Sequence, residues 1–187
     1  MFRPFMFIGL GGSGGKTLRF VKRELQNWLE DNAPDQAFPD AWKFLHIDSP
    51  TIQDGEELTP FVDMLDQDEY LGLVGKDVNF TAIARGLDAI PDMQHELIGW
   101  RIDPASMEVP IGIGAGQYRA VGRTIAMLHA QRIRQNLRKC YDDINQPRAK
   151  RGLEELYTKV VGGPLGENSD PIVIVVSSLA GGTGAGL

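Results

Sequence analysis

The chain has 187 residues, a formal net charge of −6 and 42% apolar residues, enough for one domain with a sizeable core. A single cysteine, Cys140, excludes an intrachain disulfide and a multi-cysteine metal site and fits a cytoplasmic protein. No apolar run approaches the length of a membrane span.

The predicted elements follow in chain order. Phe5 to Leu10 carries no polar side chain and reads as a strand buried on both faces, as in a parallel sheet. Thr17 to Glu30 predicts a helix, with Leu18, Val21, Leu25, Trp28 and Leu29 at helical spacing. Asp31 to Asp40, with Pro34 and Pro39, is a loop. Trp42 to Ile47 is a second strand that ends at Asp48 and is broken by Ser49-Pro50.

Phe61 to Leu65 reads as a helical turn, and Asn79 to Ile90 as a short helix with Ile83 and Leu87 facing inward. Pro91 to Pro110 reads as an irregular loop that packs Trp100. Gln117 to Ile144 predicts one long helix, striped by Val121, Ile125, Leu128, Ile133, Leu137, Cys140 and Ile144 and ended by Pro147. Leu153 to Val161 extends the helical structure, and Ile172 to Val176 is a last buried strand. Helices alternating with apolar strands predict an α/β class with a three-layer, Rossmann-like parallel sheet flanked by helices, in one domain spanning 1–187.

Charge is uneven. Glu30 to Glu69 holds one base, Lys43, while Arg119 to Arg151 is basic apart from Asp142 and Asp143. Two readings stand: solvated faces, or head-to-tail self-association of acidic patch on basic helix. An acidic balance and few aromatics in the basic segment argue against a nucleic-acid partner.

The chemistry lies in two glycine turns. Gly9-Leu-Gly-Gly-Ser-Gly-Gly-Lys-Thr17 follows the first strand, and Ala180-Gly-Gly-Thr-Gly-Ala-Gly186 follows the last. Where a helix starts after a parallel strand, free N–H groups and the helix dipole attract phosphate, and glycine lets backbone approach the ligand. Two such turns suggest two walls of one nucleotide site. Gly9-Leu-Gly11-Gly-Ser-Gly14 fits the dinucleotide pattern GxGxxG, but the acidic residue expected about twenty residues on is out of register. Gly15-Lys16-Thr17 completes the end of a GxxxxGK[ST] loop, whose first glycine would fall on Leu10. A turn that binds nothing is the remaining reading of that segment alone.

Residues 180–186 resemble the GGGTG[ST]G signature of the tubulin and FtsZ superfamily of nucleotide-binding, filament-forming proteins. Gly9 to Lys16 is similar to that family's first glycine loop, GVGGAGGN. Gly114-Ala-Gly116-Gln-Tyr-Arg-Ala-Val-Gly122-Arg123 resembles its GAGxNPxxGR pattern, and strand Trp42 to Asp48 resembles its second strand. Between Ser49 and Pro110 no named motif carries the resemblance. Large bacterial tubulin-like proteins are the nearest kind.

The resemblance implies a cytoskeletal GTP-binding domain that holds GTP or GDP with Mg²⁺ and associates with itself. Its phosphate contacts would come from Gly11, Gly12, Ser13, Gly14, Gly15, Lys16 and Thr17, from Gly181, Gly182, Thr183 and Gly184, and from Gly114, Ala115 and Gly116 over the γ-phosphate. In the last loop, Gly182, Thr183 and Gly184 would offer amides and a hydroxyl. Asp48 would hold a Mg²⁺-bound water, or be a solvated aspartate at a strand end. The chain departs from the family at Ala180, Ala185, Tyr118, Arg119 and Lys16. Lys16 replaces a base-contacting asparagine and can reach phosphate instead, which leaves guanine against adenine open.

Relatives continue beyond the signature into a central helix and an acidic catalytic loop. These residues are therefore expected to be the N-terminal part of a longer protein, to bind nucleotide weakly alone and not to hydrolyse it. No catalytic residue is assigned. Two other functions stay open: a nonhydrolysing structural module with a degenerate site, and a dinucleotide-binding domain. His46, Cys140 and the three tryptophans read as structural residues, and Arg123 as either a phosphate or neighbour contact or a surface ion pair.

Overall fold

Residues Phe5–Leu10 form strand β1, and its side chains divide between the two faces of a sheet. The computed structural model describes residues 2–91, 99–100, 102–103, 105, 111–166 and 170–187. Strands β2 (Trp42–Pro50), β3 (Tyr70–Val74) and β4 (Ile172–Ser177) complete a four-stranded parallel sheet in the order β3-β2-β1-β4. The chain steps outward from β1 to β2 and β3, then returns to place β4 on the other side of β1. That reversal opens a crevice beyond the carboxyl ends of β1 and β4, where open parallel sheets bind ligands.

Helices cover both faces. Helix α1 (Gly11–Asn32) lays Leu18 against Phe7 and Phe44, whose rings stack at 4.8 Å. On the opposite face lie α2 (Phe80–Asp88), α3 (Arg119–Leu128) and α4 (Ala130–Ile144). Their Ile83, Val121, Ile125 and Ile144 pack on Met6, Ile8, Leu45 and Ile47. Helix α5 (Pro147–Val161) closes the amino end, burying Leu153 and Leu156 with Trp42 and Leu29. The five-residue α6 (Gly182–Gly186) follows β4. This is the expected α/β class with a parallel sheet between helical layers.

Several boundaries differ from the sequence reading, each for a physical reason. Helix α1 begins at Gly11, so the glycine run is the first turn of the helix rather than a loop before it. Strand β2 continues through Ser49 to Pro50, which lies past the last β1 pair at Ile47 and is paired with β3 alone, an edge position that tolerates proline. Residues 61–65 are not helical; 3-10 turns form at Glu56–Leu58 and Gln67–Glu69. The second turn carries a reciprocal Asp66–Glu69 capping box and delivers the chain into β3, a strand the sequence reading missed.

The long helix is two helices, broken at His129 (φ −103°, ψ 12°). The five-residue step from Leu128 to Ile133 leaves the helical three-four spacing, and the break returns Ile133 to the core. Pro147 opens α5 at its first turn as well as following α4. Strand β4 is an edge strand and not buried: Val173 and Val175 are 49% and 56% exposed. Most of 91–110 lies outside the described residues; Trp100 receives the Arg123 guanidinium over its ring at 5.2 Å.

The acidic segment also finds cations within the chain, one of them, Arg148, from the basic segment. Lys22 of α1 bridges Asp66 and Glu69, Arg148 reaches Asp40, and Lys159 reaches Asp35.

Candidate functional site

Three glycine segments converge on one cleft at the reversal of the sheet. It is lined by Gly11, Gly12 and Ser13 after β1, by Gly114, Ala115 and Gly116 before α3, and by Gly181 to Gly184 after β4. Asp48 and Asp54 also line it, and among the described residues no lysine or arginine does. A larger cavity at the amino end of β2, lined by Lys22, Trp42, Phe44 and Cys140, contains none of these segments.

The segments interlock backbone on backbone. Gly182 N–H donates to the Gly116 carbonyl at 2.6 Å. A Cβ on Gly182 would lie 2.6 Å from the Ala115 carbonyl oxygen, and one on Gly184 would lie 2.8 Å from that of Leu10. On Gly122 of α3 it would run into the Gly182 carbonyl, and on Gly186 into the Arg123 amide. Glycine is therefore required here for loop-to-loop packing as well as for open space above the loops. At Gly11 (φ +70°) and Gly114 (φ +130°) the backbone itself favours glycine.

The first turn divides by role. Helix α1 has no side-chain cap and no acidic residue in its own first turn, so its early amides have no partner within the helix. Gly14 and Gly15 are buried and turned to the sheet: a Cβ on Gly14 would meet the Val176 carbonyl, and one on Gly15 the His46 ring. They let α1 approach the strands closely. The Thr17 hydroxyl donates to the Ser13 carbonyl within the helix. Lys16 Nζ lies 3.1 Å from Glu57 and 3.7 Å from Asp54, outside the cleft lining. The hydrogen bond it donates to Glu57 holds the Lys16 ammonium above its ordinary pKa.

Beneath the cleft, β2 supplies a buried polar row. His46 Nε2 is 3.1 Å from the Gly11 carbonyl oxygen. That oxygen can only accept, so the contact places the imidazole proton on Nε2. Asp48 Oδ2 lies 3.6 Å from the same nitrogen, and Asp48 Oδ1 accepts the Ser49 N–H at 2.7 Å. Asp48 is thus a buried residue inside the strand, which overturns the alternative of a solvated strand-end carboxylate. The Ser49 hydroxyl shares a 2.6 Å hydrogen bond with the hydroxyl of Thr183. The Thr183 hydroxyl, expected to face phosphate, is therefore engaged below the loop.

Tyr70 packs edge-on against His46, and its hydroxyl donates to the carbonyls of Pro50 and Ile52. Burial, with the nearby Asp48 and Asp54 carboxylates, pushes its pKa well up, so it stays a neutral donor.

The sequence reading missed Asp54, Ser49 and Arg19. The Asp54 carboxylate stands over Gly12, where a Cβ would be 2.8 Å from Oδ2. Its loop is fixed by Arg19, a buried guanidinium bonded to the carbonyls of Gly55, Val62 and Asp63 at 2.7–2.8 Å. The only sequence signal was Arg19 itself, a charge on the inward side of α1 between Leu18 and Phe20. Nothing local marked Asp54 or Ser49.

A parallel sheet whose reversal carries glycine turns after the adjacent strands β1 and β4 defines a Rossmann-like protein. The tubulin-like family model matches residues 6–187, and the chain belongs to that family. Comparisons with curated proteins and with solved structures gave no significant match.

Proposed function

We propose that the cleft binds a guanine nucleotide, GTP or GDP, as its Mg²⁺ complex, and that the chain is the nucleotide-binding domain of a cytoplasmic, filament-forming tubulin-like protein. The observation that carries this reading is the convergence of the three glycine segments on one cleft at the switch point of the sheet. Amides of Gly12 and Ser13 at the start of α1 face the phosphates from one side. Those of Thr183 and Gly184 face them from the other, and Gly114 to Gly116 close over the terminal phosphate.

The donor set fits a hard cation. Asp48 and Asp54 put two carboxylates in a cleft that no ammonium or guanidinium of the described residues lines, so a polyphosphate there requires a counter-charge. The described residues hold no cluster of three metal-ligating side chains, and phosphate oxygens and water would supply the other ligands. Bound Mg²⁺ would neutralise phosphate charge. The chain's own groups orient the phosphates and exclude side chains from their path. Self-association in filaments is head to tail, with the basic α4–α5 surface meeting an acidic surface of the next copy. No residue of the cleft is assigned as catalytic.

A second reading is a nonhydrolysing structural module. It is favoured by Lys16, held by Glu57 and Asp54, and by the Thr183 hydroxyl, held by Ser49. Calorimetry with Mg²⁺, comparing GTP, GDP, ATP and NADH, separates the readings. Selective binding of GTP and GDP supports the proposal. ATP preference keeps the phosphate site and reassigns the base; NADH alone indicates a dinucleotide domain; no binding by folded protein leaves the structural module.

A further inference from the structure

Ser49 is fully buried, and nothing in its immediate sequence marks it as part of a site. It stands at the carboxyl end of β2, and Thr183 stands in the first turn of α6 after β4. Those two strands are not neighbours, because β1 runs between them. The 2.6 Å bond between the two hydroxyls therefore spans the end of β1 and ties together loops separated by 134 residues. A hydroxyl pair with both members buried is costly to break, since either one left alone loses its partner without gaining water.

The tie is oriented from both ends. On the β2 side, the Ser49 amide is bonded to Asp48 Oδ1, which fixes the backbone that carries the hydroxyl. On the α6 side, the Thr183 backbone is wedged against α3, where a Cβ on Gly122 would lie 3.0 Å from Thr183 Cα. Three residues earlier on β2, His46 holds the Gly11 carbonyl at 3.1 Å. One strand thus grips both glycine turns: the first through His46, the last through Ser49. The turns also touch directly, since a Cβ on Gly11 would be 3.0 Å from the Gly184 nitrogen and one on Gly184 2.8 Å from the Leu10 carbonyl oxygen.

We infer that Ser49 is a positioning residue that sets the spacing of the two glycine turns, acting through Thr183 and touching no ligand itself. The inference rests on the nucleotide reading for its consequence, but not for its geometry. The short α6 has few intrahelical bonds of its own, and the amides of Thr183 and Gly184 keep their direction because the Thr183 side chain is anchored below. Without the Ser49 hydroxyl, Thr183 is free to change rotamer and the turn loses its fixed distance from α1.

Amide hydrogen exchange on Ser49→Ala and Ser49→Thr tests this without any ligand. Ser49→Ala is expected to speed exchange at residues 182–187 by about tenfold. Exchange in β1 and in the α1 interior should stay at the wild-type rate. Ser49→Thr, which keeps the hydroxyl, is expected to restore protection. Unchanged exchange at 182–187 in Ser49→Ala, or an equal rise throughout the sheet, would overturn the inference. Should Ser49→Ala fail to fold, Thr183→Val removes the other half of the pair, and the same local pattern is required of it.

GTP and GDP titrations of the same variants then separate this idea from the nucleotide reading. A loss of affinity of about tenfold in Ser49→Ala, not deepened by adding Thr183→Val to it, is the expected coupling. Fully additive losses would contradict it. Wild-type protein that binds no nucleotide would sink the nucleotide reading, while the exchange result would still decide the role of Ser49.

Discussion

The two glycine turns look alike in sequence and are built differently. The turn after β1 opens a helix of 22 residues whose Gly14 and Gly15 are pressed on the sheet. It is held by its own long helix and by the strands beneath it, His46 among them. The turn after β4 opens a helix of five residues on an exposed edge strand. It is held by its neighbours: the Gly116 carbonyl, the Ser49 hydroxyl and the glycine face of α3. The lesson is that a phosphate-type loop can be pre-organised locally or by its surroundings, and that the second kind fails through residues far from it in sequence.

That contrast can be broken at four places. Gly15→Val should have the largest effect, because its side chain has no route except into the buried His46 ring. A stability loss of about 3 kcal/mol is expected by chemical denaturation. Survival with unchanged stability would show that α1 does not sit this close to β2.

Gly184→Val should leave most of the fold intact and act on the second turn, displacing it from the Leu10 carbonyl. Its expected signature is a loss of nucleotide affinity of about 100-fold, close to 3 kcal/mol, against a small change in melting temperature. Unchanged affinity would remove this turn from the site.

Arg19→Met leaves the carbonyls of Gly55, Val62 and Asp63 without their donor. A cost of about 2 kcal/mol and faster proteolytic cleavage within residues 54–63 are expected. Resistance to cleavage equal to wild type would show that the loop is held by other contacts.

Lys22→Met should have the smallest effect, about 1 kcal/mol, because exposed and half-exposed pairs are screened. Burial alone would lower the Lys22 pKa, but the Asp66 and Glu69 carboxylates outweigh it and raise it. A raised lysine pKa contributes stability fully below the ordinary lysine value of about 10.5 and loses it as pH climbs through the folded value. Wild type should therefore lose stability in that alkaline window relative to Lys22→Met. Parallel stability curves across it would contradict the assignment.

Much of the architecture was legible from the chain. Strand β1, the core positions of α1 and the inward Ile83 and Leu87 follow from apolar spacing, and both turns from their glycines. What escaped depended on tertiary context. Strand β3 is five residues interrupted by Gly72, and its strand character comes from pairing with β2. Pro50 suggested a break because it reads locally as a stop, yet it occupies the last paired position. The exposure of β4 was invisible because an apolar run looks the same at an edge as in the centre of a sheet. In the site, Gly14 and Gly15 could not be told from their cleft-facing neighbours, since packing and ligand approach demand the same residue. Ser49 and Asp54 had no local signal: each reaches the cleft only through the return of distant chain.

The most direct test of the central claim is an amide-exchange footprint of the protein with and without GTP and Mg²⁺. The account predicts joint protection at residues 11–13, 114–116 and 182–184, with little change at the cavity around Trp42 and Cys140. Protection confined to one of the three segments, or centred on that other cavity, would contradict a single nucleotide site at the reversal of the sheet.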